Sequence, residues 1–162
     1  MSGEGVSVAE QFKAAFREHP AGIALITATT PEGPVGLTAS SVASVGLDPV
    51  ALTFSVTRAT GSAGALLSAD TFLVHLLDAR QLAVAEQFAV SGGERFTEAQ
   101  GWETLPTGEP HLPGVRAALR CRAIQVTPVG ASSAVIAEVL DVIEGDSGEA
   151  LIYIDRAFRV LP

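Results

Sequence analysis

The chain has a single cysteine, Cys121, which excludes an intrachain disulfide and a cysteine-based zinc cluster. Basic charge is also scarce, with 10 Lys plus Arg against 18 Asp plus Glu and a formal charge of −8. A face for nucleic acid needs the opposite balance, so no nucleic-acid partner is expected, although a local basic pocket for one small anion is compatible with it. No apolar run reaches the ~18–20 residues that span a bilayer, so no membrane association is expected. The first nine residues carry Glu4 and no apolar stretch, which does not fit a signal peptide, and a cytoplasmic location is expected. There is no Gly-x-Ser-x-Gly elbow, no Gly-x-Gly-x-x-Gly after a strand and no Walker loop. A hydrolase triad and the usual dinucleotide fold therefore lack support. His19, His75 and His111 are scattered without ligand spacing and read as structural, so no metal site is expected.

What is present suits one domain. The 162 residues are 48% hydrophobic and 17% charged, enough apolar side chain for a core and too little charge for general disorder. Residues 1–7 read as a flexible N-terminus and 8–162 as a single domain. Ser7 and Glu10 have the spacing of a capping box, Val8, Phe12, Ala15 and Phe16 recur at helical spacing, and Pro20 follows, which predicts an amphipathic helix over 8–18. Apolar and β-branched runs predict strands at 23–28, 35–39, 50–56, 71–77, 118–129 and 134–143, with a last strand beginning at 151. Short helices are expected near 62–67 and after Asp78, where Gln81 completes a second capping pattern. Residues 90–114, rich in Gly and Pro, read as a long loop that is functional or wraps a partner. Cys121 falls in an apolar strand pattern and reads as core. Seven strands that do not alternate with helices predict a mainly β fold, an antiparallel barrel with a few peripheral helices.

Three segments could carry chemistry. Gly36 to Ser44 places Thr38, Ser40, Ser41 and Ser44 between apolar strands, where hydroxyls and small side chains let a flat ligand approach the backbone. Ser55-Val56-Thr57-Arg58-Ala59-Thr60-Gly61-Ser62 leaves a strand and enters a helix. Its free N–H groups, hydroxyls and one Arg suit a phosphate. Arg95-Phe96 follows Gly92-Gly93 and could add a cation. Each also has a plain reading: a polar loop, a capped helix, a solvated arginine.

Taken in order, these words resemble the flavin reductase-like family, whose fold is the FMN-binding split barrel. The resemblance rests on Phe16-Arg17-Glu18-His19-Pro20-Ala21-Gly22-Ile23, Gly36-Leu37-Thr38-Ala39-Ser40-Ser41, Ser44-Val45-Gly46-Leu47-Asp48-Pro49, Phe72-Leu73-Val74-His75-Leu76-Leu77, Gln87-Phe88, Arg95-Phe96 and Leu119-Arg120-Cys121. It implies that Thr38, Ala39, Ser40 and Ser41 hold the flavin ring. It further implies that Ser55, Val56, Thr57, Arg58 and Ser62 lie along the ribityl chain and phosphate, with Arg95 nearby, and it names no catalytic side chain. It implies FMN or FAD as cofactor, NADH or NADPH as co-substrate, an obligate homodimer, and a monooxygenase as a partner fed with reduced flavin. The chain departs from the family pattern at Ser132, which stands where a histidine is usual, and at Ile154-Asp155, which displace basic residues. An acidic Asp155 would repel a dinucleotide phosphate. The resemblance therefore supports an NAD(P)H-dependent flavin reductase. A flavin-binding carrier, sensor or partner subunit without efficient NAD(P)H use is the alternative, and a split barrel holding haem or a deazaflavin is a third.

Overall fold

The computed structural model describes residues 5–58, 60–90 and 92–162. Residues 1–4 of the expected flexible terminus, Ala59 of the phosphate segment and Ser91 of the long loop lie outside the described residues. Ser7 starts the first helix, α1 (Val8–Arg17), through the expected box: its Oγ accepts from the Glu10 N–H and the Glu10 carboxylate accepts from the Ser7 N–H, each at 3.2 Å. Helix α1 buries none of its residues.

The next strands are β1 (Ala21–Gly22), β2 (Ala24–Thr30), β3 (Gly33–Ala39), β4 (Ala43–Leu47) and β5 (Val50–Val56). Helix α2 (Gly61–Ser68) leads to β6 (Phe72–Leu76). Asp78 and Gln81 make their capping box, but it opens one 3-10 turn, Ala79–Gln81, that continues as α3 (Leu82–Ala89). After two short strands, β7 (Glu103–Thr104) and β8 (Pro110–His111), come the long hairpin β9 (Ala117–Val129) and β10 (Ser132–Glu144) and the final hairpin β11 (Ala150–Ile154) and β12 (Ala157–Leu161).

All pairings are antiparallel. The main sheet has seven strands in the order β3-β2-β6-β9-β10-β5-β4, β1 joins β11 and β12, and β7 pairs with β8. The mainly antiparallel β class with peripheral helices is as expected. Among the described residues the sheet does not close into a ring, because its edge strands β3 and β4 do not pair with each other. Five strands beyond the expected seven appear: β1, β7 and β8 are two residues each, all of β4 is exposed, and most of β12 is exposed. The two-residue strands are too short to show a period, and β4 and β12 leave most of their apolar side chains exposed.

Strand β2 has five consecutive buried residues, Ala24–Ala28. Successive side chains point to opposite faces, so both faces of the sheet must be covered there. One face packs Ile26, Phe54, Phe72, Val74, Cys121 and Val135 under α2. The other packs Leu25, Leu73, Phe88, Leu112 and Leu151 under α3 and the segment that follows it. Burying a Phe or Leu side chain is worth about 1.5–3 kcal/mol. Burial pushes the Cys121 thiol up to about 12, which makes it the inert core residue expected.

The 90–114 segment, read as a loop that is functional or wraps a partner, covers the protein's own sheet with its described residues. Thr27 and Thr29 hydroxyls donate to the carbonyls of Pro110 (2.7 Å) and Gly108 (2.6 Å). The Leu112 N–H donates to His75 Nε2 at 3.0 Å, and His75 Nδ1 lies 3.0 Å from the Leu25 carbonyl. That pattern requires a neutral imidazole with its proton on Nδ1, and burial lowers the pKa to about 4. His75 is thus a satisfied core histidine. A few residues earlier in the loop than Leu112, buried Glu109 accepts from the Thr71 hydroxyl (2.6 Å), from Arg120 Nε (2.8 Å) and from the Thr107 hydroxyl.

Burial works against ionisation of Glu109, but the bonds from Thr107, Thr71 and Arg120 outweigh it and hold the carboxyl at about 2. A depressed folded pKa contributes stability above the unfolded value near 4.5 that is lost as pH falls toward 2. Glu109→Gln should therefore cost about 1.5–3 kcal/mol at neutral pH. It should also flatten the fall of the melting temperature across that acid range. Calorimetry at several pH values reads both, and an unchanged acid slope would remove Glu109 as its source.

Candidate functional site

The two hydroxyl-bearing segments, fourteen residues apart at Ser41 and Ser55, meet in space. Strand β3 ends at Ala39 and β4 begins at Ala43, so Ser40, Ser41 and Val42 belong to no strand pairing. The Ser55 N–H donates to Ser41 Oγ at 2.9 Å, and the Ser41 hydroxyl faces the Ser55 carbonyl at 3.4 Å. Ser41 therefore clasps the connection onto β5, and Thr38, Ser40 and Ser44 remain as the hydroxyls of Gly36–Ser44 without an internal partner among the described residues. Ala39 and Val56 are buried and contribute only backbone.

Beside the clasp lies a cleft of about 850 Å³. Ser40, Ser41 and Ser55 form one wall, Phe12 and Phe16 of α1 another, and Tyr153 a third. A smaller cavity of about 230 Å³ carries Thr38 and Phe158 and shares Ser40 and Tyr153 with it. The ring of Tyr153 packs edge-on to Phe158 with centroids 5.2 Å apart. Phe12 and Phe16, 4.6 Å apart, are 61% and 57% exposed, so the apolar stripe of α1 faces this opening instead of the core. Aromatic walls, hydroxyls on one edge and a volume within the usual ~300–1,000 Å³ of ligand sites fit a flat ring with a polar rim, as in a flavin.

Thr57 and Arg58 are exposed at the end of β5. Thr60 caps α2 by backbone conformation alone, with no side-chain bond, and Gly61 takes φ +58°. The first N–H groups of α2 thus have no capping acceptor, which suits an anion. Ser132 donates its hydroxyl to the Thr57 carbonyl at 3.4 Å and so sits against this segment. Arg95 has a different setting. Its guanidinium donates to the carbonyls of Gly36 (3.0 Å), Phe88 (2.9 Å) and Val90 (3.3 Å), lies 3.5 Å from the Ser62 hydroxyl and stacks 5.3 Å over the Phe88 ring. It ties α3 to β3 and reaches the start of α2 from behind. Gly36 is needed for this approach, since a Cβ there would lie 2.8 Å from Phe88. Among the described residues no group of three or more His, Cys, Asp or Glu could hold a metal.

Sequence reasoning did not anticipate Tyr153, the α1 aromatics or Arg156 at this cleft. Tyr153 is the only tyrosine of the chain, and its strand position gives no hint of a ligand. The exposed stripe of α1 looks the same in sequence as one that packs on a core.

The Flavin reductase like domain family matches residues 16–162. A curated relative, NADH:FMN oxidoreductase of Rhodococcus qingshengii, is 39% identical over 128 residues, covering 79% of this chain and 67% of the relative. The reductase component of the FADH(2)-dependent resorcinol hydroxylase of a Rhizobium species is 29% identical over 94% of this chain and 86% of its own. Among solved structures, a flavin reductase domain protein of Arthrobacter sp. FB24 superposes with a TM-score of 0.87 at 32% identity, covering 94% of each chain.

The two ends of the candidate site should separate by ligand. Replacing both Ser40 and Ser41 with Val should weaken FMN and riboflavin alike by more than tenfold, through lost hydrogen bonds of ~0.5–1.5 kcal/mol each and the added bulk. Arg58→Ala should weaken FMN roughly 10–150-fold and riboflavin, which has no phosphate, far less. Fluorescence quenching reads both. Equal losses for the two ligands in Arg58→Ala would move the phosphate away from Arg58.

Proposed function

The chain belongs to the flavin reductase family, and we propose that it is an NADH-dependent reductase of free FMN or FAD. The carrying observation is the Ser41–Ser55 clasp, which joins the segment after β3 to β5 beside an aromatic-walled cleft that Ser40, Ser41 and Ser55 line. When bound, the flavin supplies the ring that accepts a hydride from the nicotinamide, and a solvent proton completes its reduction. The protein's own part is positional. Thr38 and Ser40 meet the polar rim of the ring, Arg58, Ser62 and the open N–H groups of α2 take the phosphate, and Arg95 holds Ser62 and β3 at a fixed separation. Phe12, Phe16 and Tyr153 exclude water from the ring face. The relatives named as reductases favour this reading over a flavin carrier without NADH use.

The reduced flavin is a diffusible product suited to a partner monooxygenase, in keeping with the relative that serves a hydroxylase. Among the described residues no helix is long and apolar enough to cross a membrane, and the cytoplasm, where NADH is at hand, is the proposed location. The proposed assembly is a homodimer built on the single domain 8–162. One chain exposes 9708 Å², whereas its mass calls for about 7,600 Å² in a monomeric protein. Much of the excess is apolar: Leu47 is 87% exposed, and Val45, Val50, Ile124, Val126, Leu140 and Val142 are exposed on the outer hairpins.

Anaerobic addition of NADH to the FMN-loaded protein should bleach the flavin absorbance, and excess free FMN should be turned over. A yellow protein that NADH does not bleach would instead be a carrier. Sedimentation at micromolar concentration should show a dimer that buries more than the ~2,000 Å² where obligate interfaces begin. A monomer would leave that apolar surface unexplained.

A further inference from the structure

The aromatic-walled cleft has a neighbour of different character. A cavity of about 640 Å³ lies at the end of the main sheet where β2 and β9 begin and β6 ends. Gly22, Val42 and Ala43 line both spaces, so one wall divides them. Among the described residues no aromatic side chain lines this second cavity. Its floor is Ala24, Leu52, Leu76, Leu119 and Leu151, drawn from both core clusters. Aliphatic side chains offer no flat face for a ring to stack on, and they suit a flexible hydrocarbon chain.

Charge at this cavity comes from two residues of its lining, Asp78 and Arg116. Asp78 is only 1% exposed, and its carboxylate is already engaged. One oxygen accepts from the Arg80 N–H (2.9 Å) and Nε (3.0 Å), and the other accepts from Arg80 Nη2 (2.5 Å). Those bonds hold the carboxyl below its ordinary value, and the charge of Arg116 adds to the effect. Arg116 is exposed just before β9 and has no carboxylate within ion-pair reach among the described residues. With Asp78 neutralised by Arg80, one cation is left over an aliphatic floor.

The rim is preformed. Arg80 Nη2 also donates to the Asp146 carbonyl at 2.7 Å, the Ala79 N–H to the Glu149 carbonyl at 2.9 Å and the Gly145 N–H to the Arg116 carbonyl at 2.9 Å. These bonds fasten the loop 145–149 at three points. Gly148 closes on Asp78 so tightly that a Cβ would lie 2.5 Å from the carboxylate. The loop thereby adds Ser147 to the lining, and β4 adds Ser44, two hydroxyls that can donate to an anion.

We propose that this cavity binds an aliphatic monocarboxylate, its chain on the leucine floor and its carboxylate on Arg116. The volume falls within the ~300–1,000 Å³ usual for small-molecule sites, and a guanidinium is the side chain best matched to a carboxylate. A straight-chain fatty acid and a short branched acid share this chemistry and differ in the length of chain to be buried. The occupant touches the flavin cleft through the common wall: Val42 and Ala43 directly follow Ser41, whose bond to Ser55 shapes that cleft. The site itself is independent of the flavin reductase reading, and its effect on flavin rests on that reading.

The test uses the full chain, flavin-free and FMN-loaded, with melting curves to confirm that each variant folds. Octanoate, 3-methylbutanoate, benzoate and octan-1-ol are titrated by calorimetry. Octanoate should bind more tightly than benzoate, which the aliphatic floor cannot stack. Arg116→Gln should weaken octanoate about tenfold or more and leave octan-1-ol, the same chain without the charge, unchanged. Arg116→Lys should retain most of the affinity, and Ser147→Trp, which fills the rim, should exclude both chains. Octanoate tighter than 3-methylbutanoate assigns the site to fatty acids, and the reverse order assigns it to short branched acids. Octanoate and FMN should change each other's affinity by one common factor of about fivefold or more. Independent binding of the two would overturn the coupling through the wall. Octanoate that fails to bind the wild-type chain, or binds it and Arg116→Gln alike, would overturn the site. Failure to bind together with a Ser147→Trp chain that sediments as a monomer would give the cavity to a second copy instead. If FMN does not bind, the flavin reading fails, while the flavin-free titration still decides the carboxylate site.

Discussion

Burial of β2 on both faces is the constraint on which the rest of the structure depends. Five successive buried residues need cover on two sides, and two different kinds of structure provide it. Helix α2 and the β5–β10 part of the sheet cover one side with hydrocarbon alone. The other side is closed by α3 and by an irregular segment whose backbone polar groups must also be satisfied. Thr27, Thr29 and His75 answer that need from beneath, and Glu109 of the segment is anchored by Thr71 and Arg120, so buried polar residues that resemble a reactive centre are the fastenings of a cover. The proposed flavin site lies instead where β3 ends, at Ser40.

The site is an edge phenomenon for the same reason. A regular ladder uses its backbone groups internally, and the proposed site lies at two breaks in that regularity, between β3 and β4 and between β5 and α2. One side-chain bond, from Ser41 to Ser55, brings these two breaks together. Arg95 repeats that role on the far side, joining β3, α3 and the first turn of α2. A cation that in sequence reads as a phosphate ligand is held mainly by three carbonyls, because the segment it anchors has no regular structure of its own to hold it.

Local chemistry made much of the fold readable in advance. Ser7 with Glu10 and Asp78 with Gln81 marked two helix starts, Pro31 to Pro34 marked the β2–β3 turn, and the apolar runs marked the seven strands that bury side chains. The strands that escaped notice bury almost nothing, and a strand of two residues, or a short one of mostly small or exposed residues, carries little signal in a single sequence. The ordered words from Phe16 to Cys121 likewise pointed to the family, whose match covers residues 16–162.

What the sequence by itself determined is therefore local or compositional: one cysteine destined for the core, an acidic chain without a nucleic-acid face, capped helices and antiparallel hairpins. Tertiary structure alone decided which cations share a cavity. Lys13 and Arg156 are separated by most of the chain, and the β1–β11 pairing together with the bond from the Asp155 N–H to the Arg17 carbonyl brings their elements together. It also decided that Phe12 and Phe16 face a cleft, because helical periodicity marks a side as apolar without saying what lies opposite it. Contacts between distant segments depend on how the whole sheet twists and ends, and no window of sequence contains that information.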